Sequence, residues 1–177
     1  MSPDLSHGNQ SGIRKGVVSL LNQELLDHIK AGGFPFELLK NERRIRSSEE
    51  GAAYWKIHIG QTAPALILRA DNRFLLLVIS GAVARVDLKT LASSLGVASL
   101  RMATPQEIKE NFDLKPGDIP LVGLDLHILI DRRLMAYDFI YGGSGDVGFT
   151  LKISPRALPF LNGDHQLVDI PSLSERN

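Results

Sequence analysis

The stretch GQTAPALILRADNRFLLLVISG, from Gly60 to Gly81, constrains the fold more than any other part of the sequence. Its two apolar runs, residues 65–68 and 74–79, are separated by a short turn at Asp71-Asn72, a pattern that predicts a β-hairpin. Pro64 stands at the head of the first run. Because proline lacks a backbone N–H, a sheet tolerates it at the first residue of a strand. We therefore place Pro64 at the first residue of the first hairpin strand.

Apolar periodicity and capping signals predict five helices. Apolar residues at helical spacing, ended by Gly32-Gly33, indicate the first helix over about residues 17–31. The other four are expected to begin after capping residues, namely Ser47, Asp87, Thr104 and Ser154. They cover about residues 48–56, the stretch LKTLASSLG, a segment that starts with PQE, and PRALPFL.

The remaining apolar runs predict strands. A short strand is expected over residues 34–38, where apolar residues alternate with others. Two further runs, LHILID and LMAYDFIY, are joined at Arg132-Arg133 and are followed by the glycine-rich loop GGSGDVG and the strand FTLKIS. Strands and helices alternate irregularly, without a repeat or a linker that would divide the chain. We therefore expect one α+β domain over residues 17–177, with a curved mixed β-sheet covered by helices, and a flexible N-terminal tail over residues 1–16.

The composition excludes several classes of function. The chain of 177 residues is 44% hydrophobic and 23% charged, which is typical of a soluble globular domain. It contains no cysteine, so disulfides, thiolate catalysis and cysteine-based metal sites are excluded. Lysine plus arginine and aspartate plus glutamate number 20 each, and the formal net charge is zero. A nucleic-acid partner would therefore have to contact a local basic patch.

Metal, cofactor and membrane partners are not expected. The five histidines are scattered, without HxH or HExxH spacing, so no metal site is predicted. The first residues, MSPDLSHGNQSG, lack the regions of a signal peptide, and no apolar run approaches membrane-spanning length. We therefore expect a cytoplasmic protein that uses no cofactor and has no membrane partner.

Three segments are candidate binding sites, and each also has an ordinary structural explanation. KNERRIR places Arg43, Arg44 and Arg46 together, which is either a solvated face or a contact for a phosphate backbone. KPGDIPLVG is either a plain connection or a rigid wall that presents backbone N–H groups to a ligand. GGSGDVG either cradles phosphate or only permits tight turning, and it does not match a Walker loop. No G-x-S-x-G elbow is present, so a serine hydrolase is not expected.

Taken in order, these segments resemble the YbaK and prolyl-tRNA-synthetase-associated editing-domain family over about residues 20–170. RIRSSEEGAA resembles the family's helix start RTSEEAA, and ALILRADNRFLLLVISGAVARVDLKTLASSLG resembles its central hairpin and the helix after it. RMATPQEIKENFDLKPGDIPLVGL resembles its glycine–proline loop, and HILIDRRLMAYDFIYGGSGDVGFTLKISPRAL resembles its paired strands, glycine loop and final helix. The order of the pieces carries the resemblance, since each piece alone is mostly apolar residues and glycine.

The resemblance implies hydrolysis of the ester that joins a wrong amino acid to tRNA, commonly alanine on tRNA for proline. Its partners would be the acceptor end of an aminoacyl-tRNA and an aminoacyl-tRNA synthetase. The implied pocket lies between the hairpin and two glycine loops, and its residues are Pro64, Ser80, Gly81, Gly117, Pro120, Gly142, Gly143 and Ser144. No catalytic side chain is identified, and the candidate oxyanion donors are the backbone N–H groups of Gly117, Asp118 and Ile119. The residues expected to contact the acceptor stem are Arg43, Arg44 and Arg46.

Three positions depart from the family's pattern. Pro64 stands where the family has a lysine, Pro120 falls one residue early in the glycine–proline loop, and Asn41 replaces a histidine of many members. Proline supplies neither the charge of that lysine nor a backbone donor. Either the protein is a deacylase that holds the tRNA end differently, or it is a catalytically silent relative that binds an aminoacyl-tRNA end, an amino acid or a partner protein. Hydrolysis of another small acyl ester in the same pocket is a third alternative.

Overall fold

The computed structural model of the protein describes residues 23–177. The helices in this range are α1 (Gln23–Ala31), α2 (Ser48–Trp55), α3 (Leu88–Leu95), α4 (Pro105–Phe112) and α5 (Ala157–Asn162). The strands are β1 (Phe36–Lys40), β2 (Thr62–Ala63), β3 (Ala65–Ala70), β4 (Arg73–Val78), β5 (Val83–Val86), β6 (Leu100–Met102), β7 (His127–Asp131), β8 (Ile140–Gly143), β9 (Phe149–Ile153), β10 (His165–Val168) and β11 (Ser172–Glu175). The 3₁₀ turns are Ile59–Gln61 and Arg132–Ala136.

Most of the strands belong to two mixed sheets. The five-stranded sheet has the order β10-β7-β4-β3-β6, in which β10, β7 and β4 run parallel and β3 is antiparallel to both of its neighbours. The four-stranded sheet has the order β1-β9-β8-β2, with β2 parallel to β8. Strands β5 and β11 form a separate antiparallel ribbon. The predicted α+β class is confirmed, and the structure has two mixed sheets where the sequence predicts one.

The hydrophobic core lies on both faces of the five-stranded sheet. Because successive strand residues point to opposite faces, β3 and β4 each supply side chains to both sides. Ile67 and Leu76 belong to a core shared with α1, α4, α5 and the four-stranded sheet. Leu68 and Leu77 belong to a second core, shared with α3 and β5. Because both faces of these strands are buried, their sequences are continuous apolar runs and do not alternate between apolar and polar residues.

The hairpin and Pro64 are placed as the sequence predicts. Strands β3 and β4 pair in antiparallel register from Ala65 opposite Val78 to Ala70 opposite Arg73. Pro64 lies between β2, in the four-stranded sheet, and β3, in the five-stranded sheet. Its carbonyl oxygen accepts the N–H of Ile79 at 3.1 Å. A proline is tolerated here because the chain changes sheets at this residue and needs an acceptor but no donor.

The capping residues of three helices are also confirmed. Ser47 accepts the N–H of Glu50 at the start of α2, and Asp87 accepts the N–H of Thr90 at the start of α3. Thr104 and Glu107 form the complete capping box of α4. At α2 the box is only half formed, because the Glu50 carboxylate accepts the N–H of Arg46 instead of the N–H of Ser47.

Three predictions about local structure need correction. The run LMAYDFIY is not one strand, because the Asp131 side chain accepts the N–H of Arg133 and caps a 3₁₀ turn, and β8 starts only at Ile140. The Ser154 side chain does not cap α5; its carbonyl oxygen accepts the N–H of Ala157 instead. Strands β2, β5, β6, β10 and β11 were not predicted. The predicted tail over residues 1–16 and the start of the first helix lie outside the described residues.

Candidate functional site

A cavity of about 220 Å³ lies where the chain passes from β2, in the four-stranded sheet, to β3, in the five-stranded sheet. Its walls are the segment 41–48, one face of α2, the crossing at residues 62–66, the loop 117–119 and the segment 141–150. Among the predicted site residues, those that line it are Arg44, Arg46, Pro64, Gly117, Asp118, Ile119, Gly142, Gly143 and Ser144. Segments far apart in sequence therefore meet at one hollow, next to Pro64.

The other predicted site residues do not line this cavity. Ser80 is buried, its N–H donates to Oδ2 of Asp131 at 2.9 Å, and its hydroxyl donates to the carbonyl oxygen of Gly60 at 2.9 Å. The N–H of Gly81 donates to the carbonyl oxygen of Thr62, and a Cβ at Gly81 would collide with the Thr62 hydroxyl. Ser80 is thus bonded to the turn before β2 and to Asp131, and Gly81 is bonded to β2 itself, and neither residue belongs to the cavity lining.

Pro120 and Arg43 also lie outside the lining. Pro120 is buried, one residue beyond the wall formed by Ile119. The Arg43 guanidinium lies 5.4 Å from the ring centre of Tyr54 and 3.6 Å from the carboxylate of Glu50. Arg43 therefore lies against α2 rather than against the cavity.

Gly142 and Gly143 form a wall of bare backbone. Both belong to β8, where a Cβ at Gly142 would lie 2.7 Å from the carbonyl oxygen of Ala63. A Cβ at Gly143 would overlap the carbonyl oxygen of Ile119. The N–H of Leu121 donates to the carbonyl oxygen of Gly143 at 2.9 Å, which ties the loop to the strand. Close approach of three backbone segments explains these two glycines, so a phosphate cradle is not needed to account for them.

The loop after β8 is held by its own polar groups. The Ser144 hydroxyl donates to the carbonyl oxygen of Phe149 at 2.7 Å, so this hydroxyl is already used within the loop. Asn41, which also lines the cavity, holds the same loop. Its side-chain amide donates to the carbonyl oxygen of Val147 at 3.1 Å, and its backbone N–H donates to the carbonyl oxygen of Gly148 at 2.8 Å. Asn41 therefore contributes to the shape of the wall.

Two of the three predicted main-chain donors have no acceptor among residues 23–177. The N–H of Asp118 donates to the carbonyl oxygen of Lys115 at 3.0 Å. The N–H groups of Gly117 and Ile119 make no such bond within this range. Gly117 has φ +86°, a conformation that glycine adopts without strain and that shapes the turn. Free amides in a rigid turn are the groups that an oxyanion site uses.

Two arginines bring positive charge to the cavity. Nη2 of Arg44 lies 3.0 Å from Oδ1 of Asp118, so this pair joins two walls. The N–H of Arg46 donates to the Glu50 carboxylate at 3.0 Å, whereas its guanidinium has no partner within the range that the structure describes. Pro64 supplies no charge, and no lysine lines the described cavity. The positive charge in the cavity therefore comes from Arg44 and Arg46.

Sequence reasoning missed one wall of the cavity. Ser48, Gly51 and Trp55 lie on the same face of α2 and line the cavity, together with Tyr141. The ring centres of Trp55 and Tyr141 are 6.4 Å apart. The spacing of i, i+3 and i+7 within the predicted helix is the signal that would have grouped these three residues. The hydroxyl of Ser48 has no hydrogen-bond partner in the described part of the chain.

The described range contains neither a metal cluster nor a membrane-spanning helix. Histidine, aspartate and glutamate side chains of residues 23–177 form no group of three that could hold a metal ion. None of the helices described there has the length and apolar character needed to span a membrane.

Comparison with known proteins agrees with the fold described above. The structure is similar to that of a candidate trans-editing enzyme for prolyl tRNA synthetase, with a TM-score of 0.72, 25% identity, and coverage of 88% of this chain and 97% of that one. It is also similar to the hypothetical protein APE2540, with a TM-score of 0.73, 26% identity, and coverage of 84% and 99%. These similarities define the fold of the chain as a small α+β domain.

The chain belongs to the aminoacyl-tRNA editing domain family, whose sequence model matches residues 42–161. It is 29% identical over 113 residues to the proline–tRNA ligases of two strains of Staphylococcus epidermidis, a match that covers 62% of this chain and 20% of the ligases. The chain therefore spans about a fifth of the length of these curated relatives. The membership in an editing family that the sequence resemblance predicted is confirmed.

Proposed function

We propose that the protein is an aminoacyl-tRNA deacylase that acts in trans and hydrolyses the ester of a mischarged tRNA. The observation that carries the proposal is the cavity itself. In a chain that matches the editing family over residues 42–161, it brings together bare backbone, two arginines and two amides that have no acceptor among residues 23–177. The similarity to a candidate trans-editing enzyme, of which this chain covers 97%, supports action as a separate protein.

The chemistry requires little from side chains. Water attacks the ester carbonyl carbon, negative charge develops on the carbonyl oxygen, and the bond to the ribose oxygen breaks as that oxygen takes a proton. The products are the free amino acid and the tRNA. We assign stabilisation of the negative charge to the N–H groups of Gly117 and Ile119, with Asp118 holding their turn in shape. Because an aminoacyl ester is already activated, positioning and charge stabilisation account for the rate.

The hydroxyl groups around the cavity do not supply a nucleophile in this mechanism. Those of Thr62, Ser144 and Thr150 each donate to an acceptor within the protein. The unpaired hydroxyl of Ser48 is suited instead to hold the attacking water or a ribose hydroxyl. Water is therefore the nucleophile of the proposed reaction.

The tRNA contact is assigned to the basic segment at the mouth of the cavity. Arg44 and Arg46 are exposed there, on a protein whose formal net charge is zero, whereas Arg43 lies against α2 and is assigned no contact with the ligand in the cavity. A contact this small implies a shallow dependence of binding on salt concentration, because few counterions are released. Binding of the acceptor end and an encounter with a synthetase are both compatible with such a local patch.

The binding-only alternative has its own supporting observation. Pro64 lines the cavity at the position where the sequence resemblance implies a lysine, and the arginines do not occupy that position in the chain. If the protein is a catalytically silent relative, it should bind the ligand without turnover, and Pro64→Lys should gain activity. If it is a deacylase, the unmodified protein should show turnover.

The test is a deacylation assay on mischarged tRNA, including alanine, serine and cysteine on tRNA for proline. We expect the protein to accelerate release of at least one amino acid above the rate in buffer. Correctly charged prolyl-tRNA is the matched control, and its proline should be released no faster than in buffer. If no mischarged tRNA is hydrolysed but aminoacyl-tRNA still binds, the binding-only alternative replaces the deacylase.

A further inference from the structure

Arg46 differs from its neighbouring arginines in what its guanidinium contacts. Arg43 lies over the Tyr54 ring and beside Glu50, and Arg44 pairs with Asp118. The Arg46 guanidinium has no hydrogen bond or ion pair within residues 23–177, yet Arg46 lines the cavity and is exposed. Of the three, Arg46 is the one that lines the cavity and whose guanidinium has no partner in the described part of the chain.

The backbone beneath Arg46 is fixed. Its N–H donates to the Glu50 carboxylate at 3.0 Å, and the next residue, Ser47, is the N-cap of α2. The side chain therefore starts from a rigid point at the rim, although its end is unpaired. A guanidinium held in this way can bind an anion without first breaking an ion pair, as Arg44 would have to.

The chemistry of the ligand decides which anion Arg46 meets. An aminoacyl ester has no free carboxylate, and its α-amino group is cationic, so the anion closest to the ester is the phosphate of the terminal nucleotide. A guanidinium presents a fork of N–H donors that matches two phosphate oxygens. An exposed position at the rim suits a phosphate, which stays partly hydrated while the acylated ribose enters the hollow.

We infer that Arg46 is the phosphate-binding residue of the cavity and holds the 5′-phosphate of the nucleotide whose acylated ribose lies inside. The inference rests on the proposed function for the identity of the ligand. It divides the basic segment by role: Arg46 binds the phosphate, Arg44 holds the loop 117–119 through Asp118, and Arg43 lies against α2. Arg46 thus positions the ester relative to the amides of Gly117 and Ile119.

The experiment compares adenosine 5′-monophosphate with adenosine, which differ only in the phosphate. Trp55, the only tryptophan of the chain, lines the cavity and reports binding by its fluorescence, with NMR titration as a second measurement. We expect the unmodified protein to bind the monophosphate about fivefold more tightly than adenosine, as for an exposed charge-assisted contact. The ratio should fall towards one as salt is added.

The variants assign the phosphate preference to one side chain. Arg46→Ala should abolish the ratio and leave adenosine affinity unchanged, whereas Arg46→Lys should retain part of it. Arg43→Ala is the matched control, because it removes an arginine of the same segment that does not line the cavity, and it should keep the full ratio. Thermal unfolding of each variant confirms that the fold is intact.

The inference is overturned if the unmodified protein binds both ligands equally, or if Arg43→Ala lowers the ratio as much as Arg46→Ala. It is also overturned if Arg46→Ala keeps the full ratio. The proposed function fails separately, when no mischarged tRNA is hydrolysed although the phosphate preference through Arg46 is present.

Discussion

Glycines that line the same cavity differ in what a side chain would meet. A Cβ at Gly51 of α2 would lie 3.5 Å from Ile45 and 3.7 Å from Thr62, which is ordinary van der Waals contact. A Cβ at Gly143 of β8 would overlap a backbone oxygen of Ile119, which cannot turn away as a side chain can. One glycine is therefore replaceable, and the other is required by the wall it forms.

Gly143→Ala should destabilise the fold by about 1–3 kcal/mol, the usual cost of overpacking, because the loop at Ile119 must move. Gly51→Ala should instead stabilise it by about 0.5–1 kcal/mol, because alanine favours a helix. Urea denaturation of both variants measures the two effects. Equal destabilisation by both substitutions would contradict this description of the wall.

Some residues of the site were predictable from the sequence and others were not. The place of Pro64 was predictable, because proline lacks a backbone N–H and a sheet accepts it only where no donor is needed. Ser80 was misplaced, because its partner Asp131 is 51 residues away and nothing local indicates that pairing. Buried hydrogen bonds between distant segments depend on the tertiary fold, and a single sequence does not reveal them.

At the scale of elements, the start of α4 is held by a charged network that local sequence predicts only in part. The capping box of Thr104 and Glu107 was expected from their spacing. The bidentate pair between Glu107 and Arg101, at 2.7 and 2.8 Å, was not, because Arg101 lies in the preceding strand β6. The Arg101 guanidinium, together with the Thr104 amide, lowers the pKa of Glu107 to about 2.

This lowered pKa predicts a pH dependence of stability. A carboxyl group whose pKa is lower in the folded protein than its ordinary value of 4.5 stabilises the fold above pH 4.5 and loses that contribution as pH falls towards 2. Glu107→Gln should therefore unfold at a lower temperature than the unmodified protein at pH 6, with the difference shrinking towards pH 2. Melting curves across this range test it, and a constant difference would contradict it.

The link between Arg44 and Asp118 joins two walls that are 74 residues apart in sequence. Because the Arg44 side chain is 46% exposed, Arg44→Met should change the free energy of unfolding by less than about 1 kcal/mol. The loop should nevertheless become more mobile, so the Asp118 N–H, which donates to the carbonyl oxygen of Lys115, should exchange faster with solvent in hydrogen-exchange NMR. Arg43→Met is the control. Unchanged exchange at Asp118 would show that the link does not hold the wall.

At the scale of the whole molecule, the C-terminal strand supports the site from a distance. Nη1 of Arg176, just after β11, donates to the carbonyl oxygens of Gly81 and Val83 at 3.2 and 2.9 Å. Its Nε pairs with Glu49 in the first turn of α2, a helix whose face lines the cavity. The pKa of Glu49 is lowered by a backbone hydrogen bond and by Arg176. Arg176 therefore links β5, the turn at Gly81 and α2.

Arg176→Met should lower the free energy of unfolding by about 1–2 kcal/mol, because it removes partly buried hydrogen bonds to two carbonyl oxygens. Arg132→Met is the matched control: among the described residues Arg132 pairs with exposed Asp169 alone, so its replacement should have little effect. Chemical denaturation compares the two. An equal effect of both substitutions would contradict the supporting role of the C-terminus.

The cavity beside Pro64 is proposed to bind an acylated nucleoside against main-chain amides. An NMR titration with an aminoacyl-adenosine in which an amide bond replaces the ester, so that the ligand is not hydrolysed, tests this binding mode. We expect the largest chemical-shift changes at the N–H groups of Gly117 and Ile119 and in the segment 142–145. Shifts confined to α3 or β10, remote from the cavity lining, or no binding at all, would contradict it.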